Sequence, residues 1–340
     1  QQMQRLPQAI MTGKTLHSNQ SNDTNPLSIE KNYNKAKMNI KTAIKSQRIR
    51  HFLMKCGWWL PDSLMVSIQY YLICHRWPDL KNPVRFSEKI QWYKLHYRKQ
   101  VMRECVDKYT VRHYVERKMG NNQILNQLYQ VCDNADEIEF DKLPNKFVIK
   151  TTNGGNGDNI LIVKNKSNIT PPHLVDKINQ WKERRYDIIS REWAYKGLES
   201  PRIIVEQYLE ENHSNGGSLN DYKFFCFNGK FKYLWVDIDR YTNHTRGWWN
   251  EHLDYLHIDS DYPGSKYEIS LPENITEMIT VAETLASDFP FVRVDLYNVN
   301  GKIYFGELTF YPGSGYIPFK PDSFDFELGA EFSLPENTEQ

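Results

Sequence analysis

The segment from Phe291 to Phe310 constrains the chain most. Two β-rich runs, Phe291-Val-Arg-Val-Asp-Leu-Tyr297 and Lys302-Ile-Tyr-Phe-Gly-Glu-Leu-Thr-Phe310, flank Asn300-Gly301, which predicts an antiparallel hairpin. Side chains alternate between the faces of a strand. Val292, Val294 and Leu296 therefore share one face, and Arg293 and Asp295 the other; Glu307 and Thr309 likewise oppose Leu308 and Phe310. A two-residue loop at Asn300-Gly301 would put Asp295 and Glu307 on opposite faces. A three-residue loop, Val299-Asn300-Gly301, with Gly301 left-handed in a bulge beside the turn, puts them together. That register is expected, and it gathers Arg293, Asp295, Glu307 and Thr309 into a polar patch on an apolar base. Two carboxylates roughly 5–8 Å apart across a strand pair repel unless a cation lies between them. An all-oxygen donor set suits Mg²⁺, which takes one or two carboxylates and completes its shell with phosphate oxygens and water. Taken alone, the stretch reads more simply as a solvated hairpin with an Arg–Glu cross-strand pair. The rest of the chain decides between the two.

At 340 residues the chain has room for one large domain or two to three smaller ones, with ample core. A net charge of +1 supplies no global field for nucleic acid or an anionic surface, so no nucleic-acid partner is expected. Five scattered cysteines, Cys56, Cys74, Cys105, Cys132 and Cys226, lack metal-ligand spacing and are odd in number. Free thiols in a reducing, cytoplasmic compartment are expected. No N-terminal stretch has the form of an export signal. The nearest approach to a membrane span, 52–77, is interrupted by Lys55, Pro61, Asp62 and His75, which argues against a spanning helix.

Residues 1 to about 48 are polar and poor in aromatics, which predicts a disordered tail. Its end has a basic bias from Lys35, Lys37, Lys41, Lys45, Arg48 and Arg50. Asp62 is placed to cap a helix with Leu64, Met65, Ile68, Tyr71 and Leu72 along its stripe. Trp58 and Trp59 beside the basic stretch offer a peripheral membrane-surface contact, although core or domain interface is the commoner use of such residues. Further helices are expected from Ser87 to Lys99 and from Asp107 to Gly120. From Phe140 the texture changes. Strands are predicted at 146–150, 159–163, 201–209, 221–227 and 230–239, and helices at 176–186 and 273–287. The second pair of strands turns at Asn228-Gly229. Strands interleaved with hairpins and helices predict an α+β fold, and not a doubly wound parallel sheet.

A second informative piece lies between two of these strands. Thr151-Thr-Asn-Gly-Gly-Asn-Gly-Asp158 carries three glycines, which let backbone N–H groups wrap phosphate oxygens. It is not a P-loop, because Gly-Lys-Ser/Thr is missing and a strand follows instead of a helix. As a hairpin loop it would cover phosphates as a mobile lid. Lys150, ending an apolar strand, either snorkels to solvent or aims at an anion. Asp221 and Lys223 share a strand face, and Arg240 ends the next strand. With Lys108 and Lys150 they offer cations and carboxylates to a polyphosphate and its metal. Competing chemistry is thin. No Gly-x-Ser-x-Gly elbow or Cys/His zinc set is present. Asp237-Ile-Asp239 and Asp259-Ser-Asp261 have the Asp-x-Asp form of Mn²⁺-dependent nucleotide-sugar glycosyltransferases, a tripeptide common by chance.

Taken in order, Lys108, Lys150 with its glycine loop, Ile-Val-Glu206, Arg293-x-Asp295, Glu307-x-Thr309 and Pro312-Gly313 resemble the ATP-grasp fold. The similarity is closest to the TupA-like ATP-grasp proteins of bacterial surface-polysaccharide and teichuronopeptide gene clusters. Asp107-Lys-Tyr-x-Val-Arg112, Leu143-Pro-x-Lys-Phe-Val-Ile-Lys150, Asp221-Tyr-Lys-Phe224 and Phe305-Gly-Glu-Leu-Thr309 carry it, over roughly 80–330. The resemblance implies two α+β subdomains gripping a nucleotide, preceded by a helical N-terminal region. The expected divisions are a tail at 1–48, helices at 49–105, subdomains at 106–205 and 206–330, and a tail at 331–340. Lys108 and Lys150 would contact phosphates and the adenine side, and Gly154, Gly155 and Gly157 would close over the phosphates. Main-chain groups from Glu206 to Leu209 would read the adenine edge, and Asp221 the ribose. Asp295 and Glu307 would hold Mg²⁺, with Thr309 where many relatives have asparagine as a third ligand. Arg293 would steady the transferred phosphate, with Lys223 and Arg240 beside it.

The implied activity is an ATP-dependent carboxylate–amine ligase acting on a uronic-acid or amino-acid carboxylate and an amine. A phosphotransferase to a sugar hydroxyl, a glycosyltransferase using Asp237 and Asp239, and a nucleotide-binding protein without turnover are the alternatives. Substrate contacts are expected in 241–267 and the N-terminal helices.

Overall fold

The computed structural model describes residues 57, 59–155, 159–169, 171–183, 185–198, 200–210, 219–240, 243–265 and 269–336. The expected N-terminal tail, Trp58 and Gly157 lie outside the described residues.

The helical region begins with α1 (Asp62–Cys74), which buries Met65, Val66, Gln69 and Tyr70 and ends at left-handed His75. Asp62 stands inside the first turn instead of capping it, and its carboxylate meets Arg191 at 3.2 Å. Next comes α2 (Phe86–His96), whose Glu88 accepts from the backbone of Val84 and Arg85, each at 3.2 Å. This occupies N–H groups that the first turn leaves free. After α3 (Val101–Val106), α4 (Val111–Met119) stops at Gly120, whose φ of +69° suits glycine.

The strands form two antiparallel sheets. The first contains β1 (Leu128–Cys132), β2 (Phe147–Thr151), β3 (Ile160–Val163) and β4 (Ile203–Gln207) in the order β1-β4-β2-β3. Residues of β4 on both sides of the expected 205/206 boundary pair within this sheet. Between β3 and β4 run α5 (Pro171–Trp181) and the short α6 (Tyr186–Ile189). The core of this part is separate, built on Phe147, Ile149, Ile178, Ile203 and Val205.

The second sheet contains β5 (Asp221–Phe227), β6 (Lys230–Ile238), β7 (Thr245–Asn250), β8 (Tyr255–Leu256), β9 (Phe291–Val299) and β10 (Lys302–Thr309), in the order β10-β9-β5-β6-β7-β8. Its apolar face, including Phe224, Leu234, Val292 and Val294, packs under α7 (Ile275–Ala286), which buries Met278, Val281, Ala282 and Leu285. The chain closes with α8 (Ser323–Glu331) against α2, where Ser87 donates from its backbone N and its hydroxyl to the two oxygens of Asp325 at 2.9 and 2.6 Å. The expected C-terminal tail from 331 begins too early, since Phe332 is fully buried.

The opening hairpin corrects the expected register. Val299 pairs with Lys302, so the loop is the two-residue Asn300-Gly301, with φ of +51° and +83°. Such a turn matches strand twist. The extra residue is inserted deeper in β10, between Phe305 and Glu307. Gly306 is the bulge, and it returns Glu307 to a position directly opposite Asp295. A Cβ on Gly306 would lie 2.9 Å from the Asp295 carbonyl oxygen. The expected pairing thus arises through a bulge that the turn does not contain.

Candidate functional site

The polar face of the second sheet opposes the outer face of the first across a cleft. Ten of the expected residues line it: Lys108, Lys150, Gly154, Gly155, Glu206, Leu209, Asp221, Arg240, Asp295 and Glu307. Its polar end has a volume of about 100 Å³. It continues into a slot of about 600 Å³ walled by Val148, Ile160, Ile162, Leu209 and Leu219, within the range of small-molecule sites. One end is thus charged and the other more apolar than polar.

Strand register explains the polar end. Glu307, Asp295 and Lys223 are directly opposed on β10, β9 and β5. Facing carboxylates repel, and the sequence supplies cations at the neighbouring positions. Arg293, two residues before Asp295, grips it through Nε and Nη2 at 2.7 and 2.6 Å, and Nη2 also lies 3.4 Å from Glu307. Lys223 donates to Asp295 at 2.6 Å and to Asp221 at 2.5 Å. Lys108 reaches Glu307 at 3.3 Å. Burial opposes the charge on Lys223, but Asp221 and Asp295 outweigh it and raise its pKa. Burial pushes Asp295 up to about 6, against Arg293 and Lys223. Burial acts on Glu307 too, yet Lys108 and Arg293 hold its carboxyl well below the usual range.

Thr309, Arg293 and Lys223 lie behind the cleft wall and not on it. The Thr309 hydroxyl accepts from Arg293 at 3.0 Å and donates to Glu307 at 3.2 Å, so it fixes the Glu307 side chain. Arg293 is held in turn by Trp235, whose ring lies 5.0 Å from its guanidinium carbon, and Arg246 stacks on the same indole at 3.4 Å.

On the other wall, β2 and β4 alternate so that Val148, Lys150, Ile204 and Glu206 face the cleft. Lys150 pairs with Glu206. The backbone N of Lys108 donates to Thr152 O at 2.9 Å, which ties Lys108 to the root of the glycine loop. Gly154 is required there, because a Cβ would meet that of Asn159 at 2.9 Å. Gly155 N donates to the Tyr186 hydroxyl at 3.1 Å. The main chain of Gln207 is already engaged: its N donates to Gln127 O at 2.9 Å, and its O accepts from Asn126 at 2.8 Å.

Asp221 is the residue most clearly awaiting a ligand. Its Oδ2 serves Lys223 and Arg240, while Oδ1, on a cleft-lining side chain, is buried without a hydrogen-bond partner among the described residues. An orphaned acceptor of this kind costs about 1–3 kcal/mol unless a donor arrives. The Tyr297 hydroxyl is held protonated, chiefly by the Asp221 charge.

A model of the family described as TupA-like ATP-grasp matches residues 88–333. The chain belongs to that family. As a TupA-like ATP-grasp protein it has the expected α+β architecture, with a helical region ahead of the two sheets. No curated protein matches it. Among solved structures it is similar to a D-alanine–D-alanine ligase from Bacillus anthracis (16% identity, 67% of each chain, TM-score 0.41). It is also similar to the enzyme of that name from Helicobacter pylori (16% identity, 73% of this chain and 68% of that one, TM-score 0.42). A third is an L-amino acid ligase from Bacillus licheniformis (15% identity, 64% of this chain and 43% of that one, TM-score 0.36).

Several wall residues were not singled out from sequence. Arg112, Leu125, Asn126, Tyr297 and Gly306 line the cleft. Arg112 stands in the Asp107–Arg112 motif, which was a usable signal; Trp235 had none, since only strand register brings it under Arg293. The Asp-x-Asp alternative fares poorly. Asp237 Oδ1 is taken by Trp235 and Arg246 at 2.9 and 2.8 Å, with His244 at 3.0 Å. Asp239 lies just past the end of β6, with a left-handed φ of +51°.

Proposed function

We propose that this chain is an ATP-dependent carboxylate–amine ligase using Mg²⁺. The observation that carries this reading is the Asp295–Glu307 pair, which shares one cleft with Lys108, Lys150 and the glycine loop. The cleft and its backing hold Lys108, Arg112, Lys150, Lys223, Arg240 and Arg293 against Glu206, Asp221, Asp295 and Glu307, a net charge of +2. That balance complements magnesium triphosphate, whose net charge is roughly −2.

Asp295 and Glu307 would hold the metal, whose donor set fits magnesium: two carboxylates, with positions left for phosphate oxygens and water. When bound, magnesium neutralises charge that develops on the transferred phosphoryl group. Lys108 and Lys150 would grip the phosphates, with Gly154, Gly155 and Gly157 closing over them. The slot at Leu209 would take adenine, and the free oxygen of Asp221 a ribose hydroxyl. Arg240 would sit at the phosphate–substrate boundary. Arg293 reaches both acids and Lys223 holds Asp295, so the two cations would offset the repulsion between the carboxylates.

A carboxylate is too poor an electrophile for an amine. Attack of its oxygen on the γ-phosphorus breaks the bond to ADP and forms an acyl phosphate. The amine nitrogen then attacks the acyl carbon, the C–O bond to phosphate breaks, and the amine proton is lost to solvent or base. Positioning and charge suffice, and no protein nucleophile is required. The carboxylate would belong to a uronic acid or amino acid in cytoplasmic assembly of bacterial surface polysaccharide. Hydroxylamine tests this directly. The expected result is ADP release with an acyl hydroxamate that depends on the acid. A stable phosphorylated product without any need for an amine would identify a phosphotransferase instead, and UDP release a glycosyltransferase.

A further inference from the structure

Helix α1 is apolar on both sides. Its inner side fixes it to the body: Gln69 donates to Ile189 O at 2.9 Å and accepts from the Tyr316 hydroxyl at 2.8 Å, while the Tyr70 hydroxyl meets Ser87 at 2.8 Å. Its outer side should then be polar, as for any surface helix. Instead Leu64, Ile68, Tyr71 and Leu72 follow the spacing of a second apolar stripe, and Asp62 is the helix's one charged residue. Leu64, Tyr71 and Leu72 are exposed. Trp59 and Trp77 extend the patch at 69% and 61% exposure, and Trp77 stacks on Tyr71 with ring centroids 4.8 Å apart. A contiguous patch on a rigid element marks an interaction surface.

The composition and the neighbouring sequence favour one occupant. Tryptophan and tyrosine among leucines suit the headgroup boundary of a bilayer. Between Glu30 and Asp62 the sequence has eight Lys/Arg and no Asp/Glu, which leaves the rest of the chain at −7. A protein–protein face would not require that segregation, whereas an anionic surface attracts it. No described helix is long and apolar enough to cross a membrane. We propose that the outer face of α1, with Trp59 and Trp77, docks the protein peripherally on an anionic membrane surface. This reading stands apart from the ligase assignment, since no patch residue lines the cleft.

The test is co-sedimentation of the full chain with phosphatidylcholine vesicles with or without 30% phosphatidylglycerol. Binding is expected with the anionic lipid only and should fall at least tenfold in 1 M salt. The double variant Leu72→Glu, Trp77→Ser should lose at least tenfold in partitioning and keep its thermal midpoint and ATP turnover. Equal binding to neutral vesicles, no binding to either, or unchanged binding of the variant overturns the proposal. So does a dimer, seen by sedimentation equilibrium, that the double variant abolishes, because the patch would then be a self-association face.

Discussion

Asp295 and Glu307 face one another, yet their surroundings make them unequal targets. The Asp295 side chain is 2% exposed and closed in by Arg293 and Lys223, whereas that of Glu307 is 37% exposed at the cleft. Asp295→Asn withdraws an anion from two buried cations, and uncompensated buried charge costs about 3 kcal/mol or more. Lost activity in that variant would therefore mix chemistry with folding. Glu307→Gln keeps shape and removes a charge from the more exposed of the two acids, so its thermal midpoint should fall less than that of Asp295→Asn. Its ADP formation should fall roughly a hundredfold or more if Glu307 holds the metal. Turnover near wild type in a well-folded Glu307→Gln protein would remove the metal assignment. The same environment explains Thr309, whose hydroxyl is engaged by its neighbours and supports Glu307 from behind.

At the scale of elements, the bulge at Gly306 is the feature on which the site depends. Gly306→Ala would press a methyl group against the Asp295 carbonyl oxygen at 2.9 Å and the Tyr297 ring at 3.2 Å. The bulge must shift, and Glu307 with it. A stability loss of about 1–3 kcal/mol is expected, together with a disproportionate loss of ADP formation. Gly301→Ala is the control. Nothing lies within 4 Å of its would-be Cβ, and its φ of +83° costs only about 1–2 kcal/mol, so activity per folded molecule should persist. Equal activity in the two variants would detach the bulge from function. This element also shows how far the sequence could be read. Alternation and Asn-Gly pairs revealed both hairpins, and the periodicity of Met278, Ala282 and Leu285 revealed α7. The place of the bulge was not legible, because Gly306 resembles any strand glycine until its partner's backbone is known. β1, β7 and α8 escaped for a related reason. Their residues are stabilised by partners distant in sequence, such as Trp248 against Trp235 and Phe324, and not by local pattern.

At the scale of the molecule, the described residues form two hydrophobic cores, one under each sheet, and the charged cleft lies between the sheets. Parts with separate cores can move as units, and a ligand that touches both walls stabilises their closed arrangement. Lys150 and Glu206 come from one wall, and Asp221, Asp295 and Glu307 from the other. Magnesium ATP at a hundredfold excess over its Kd should therefore raise stability by about 2.7 kcal/mol, roughly 4 °C in thermal midpoint for a chain of this size. Lys150→Ala has two separable effects. Removing the cation beside nearly buried Glu206 lowers the ligand-free midpoint. Removing a phosphate contact reduces the shift that ATP produces at the same concentration. Only the second effect bears on the nucleotide role, so the quantity to compare is the ATP-induced shift measured from each protein's own baseline. A Lys150→Ala protein that starts lower but gains as much from ATP as the wild type would leave Lys150 as a structural partner of Glu206. It would also move the phosphates away from the glycine loop.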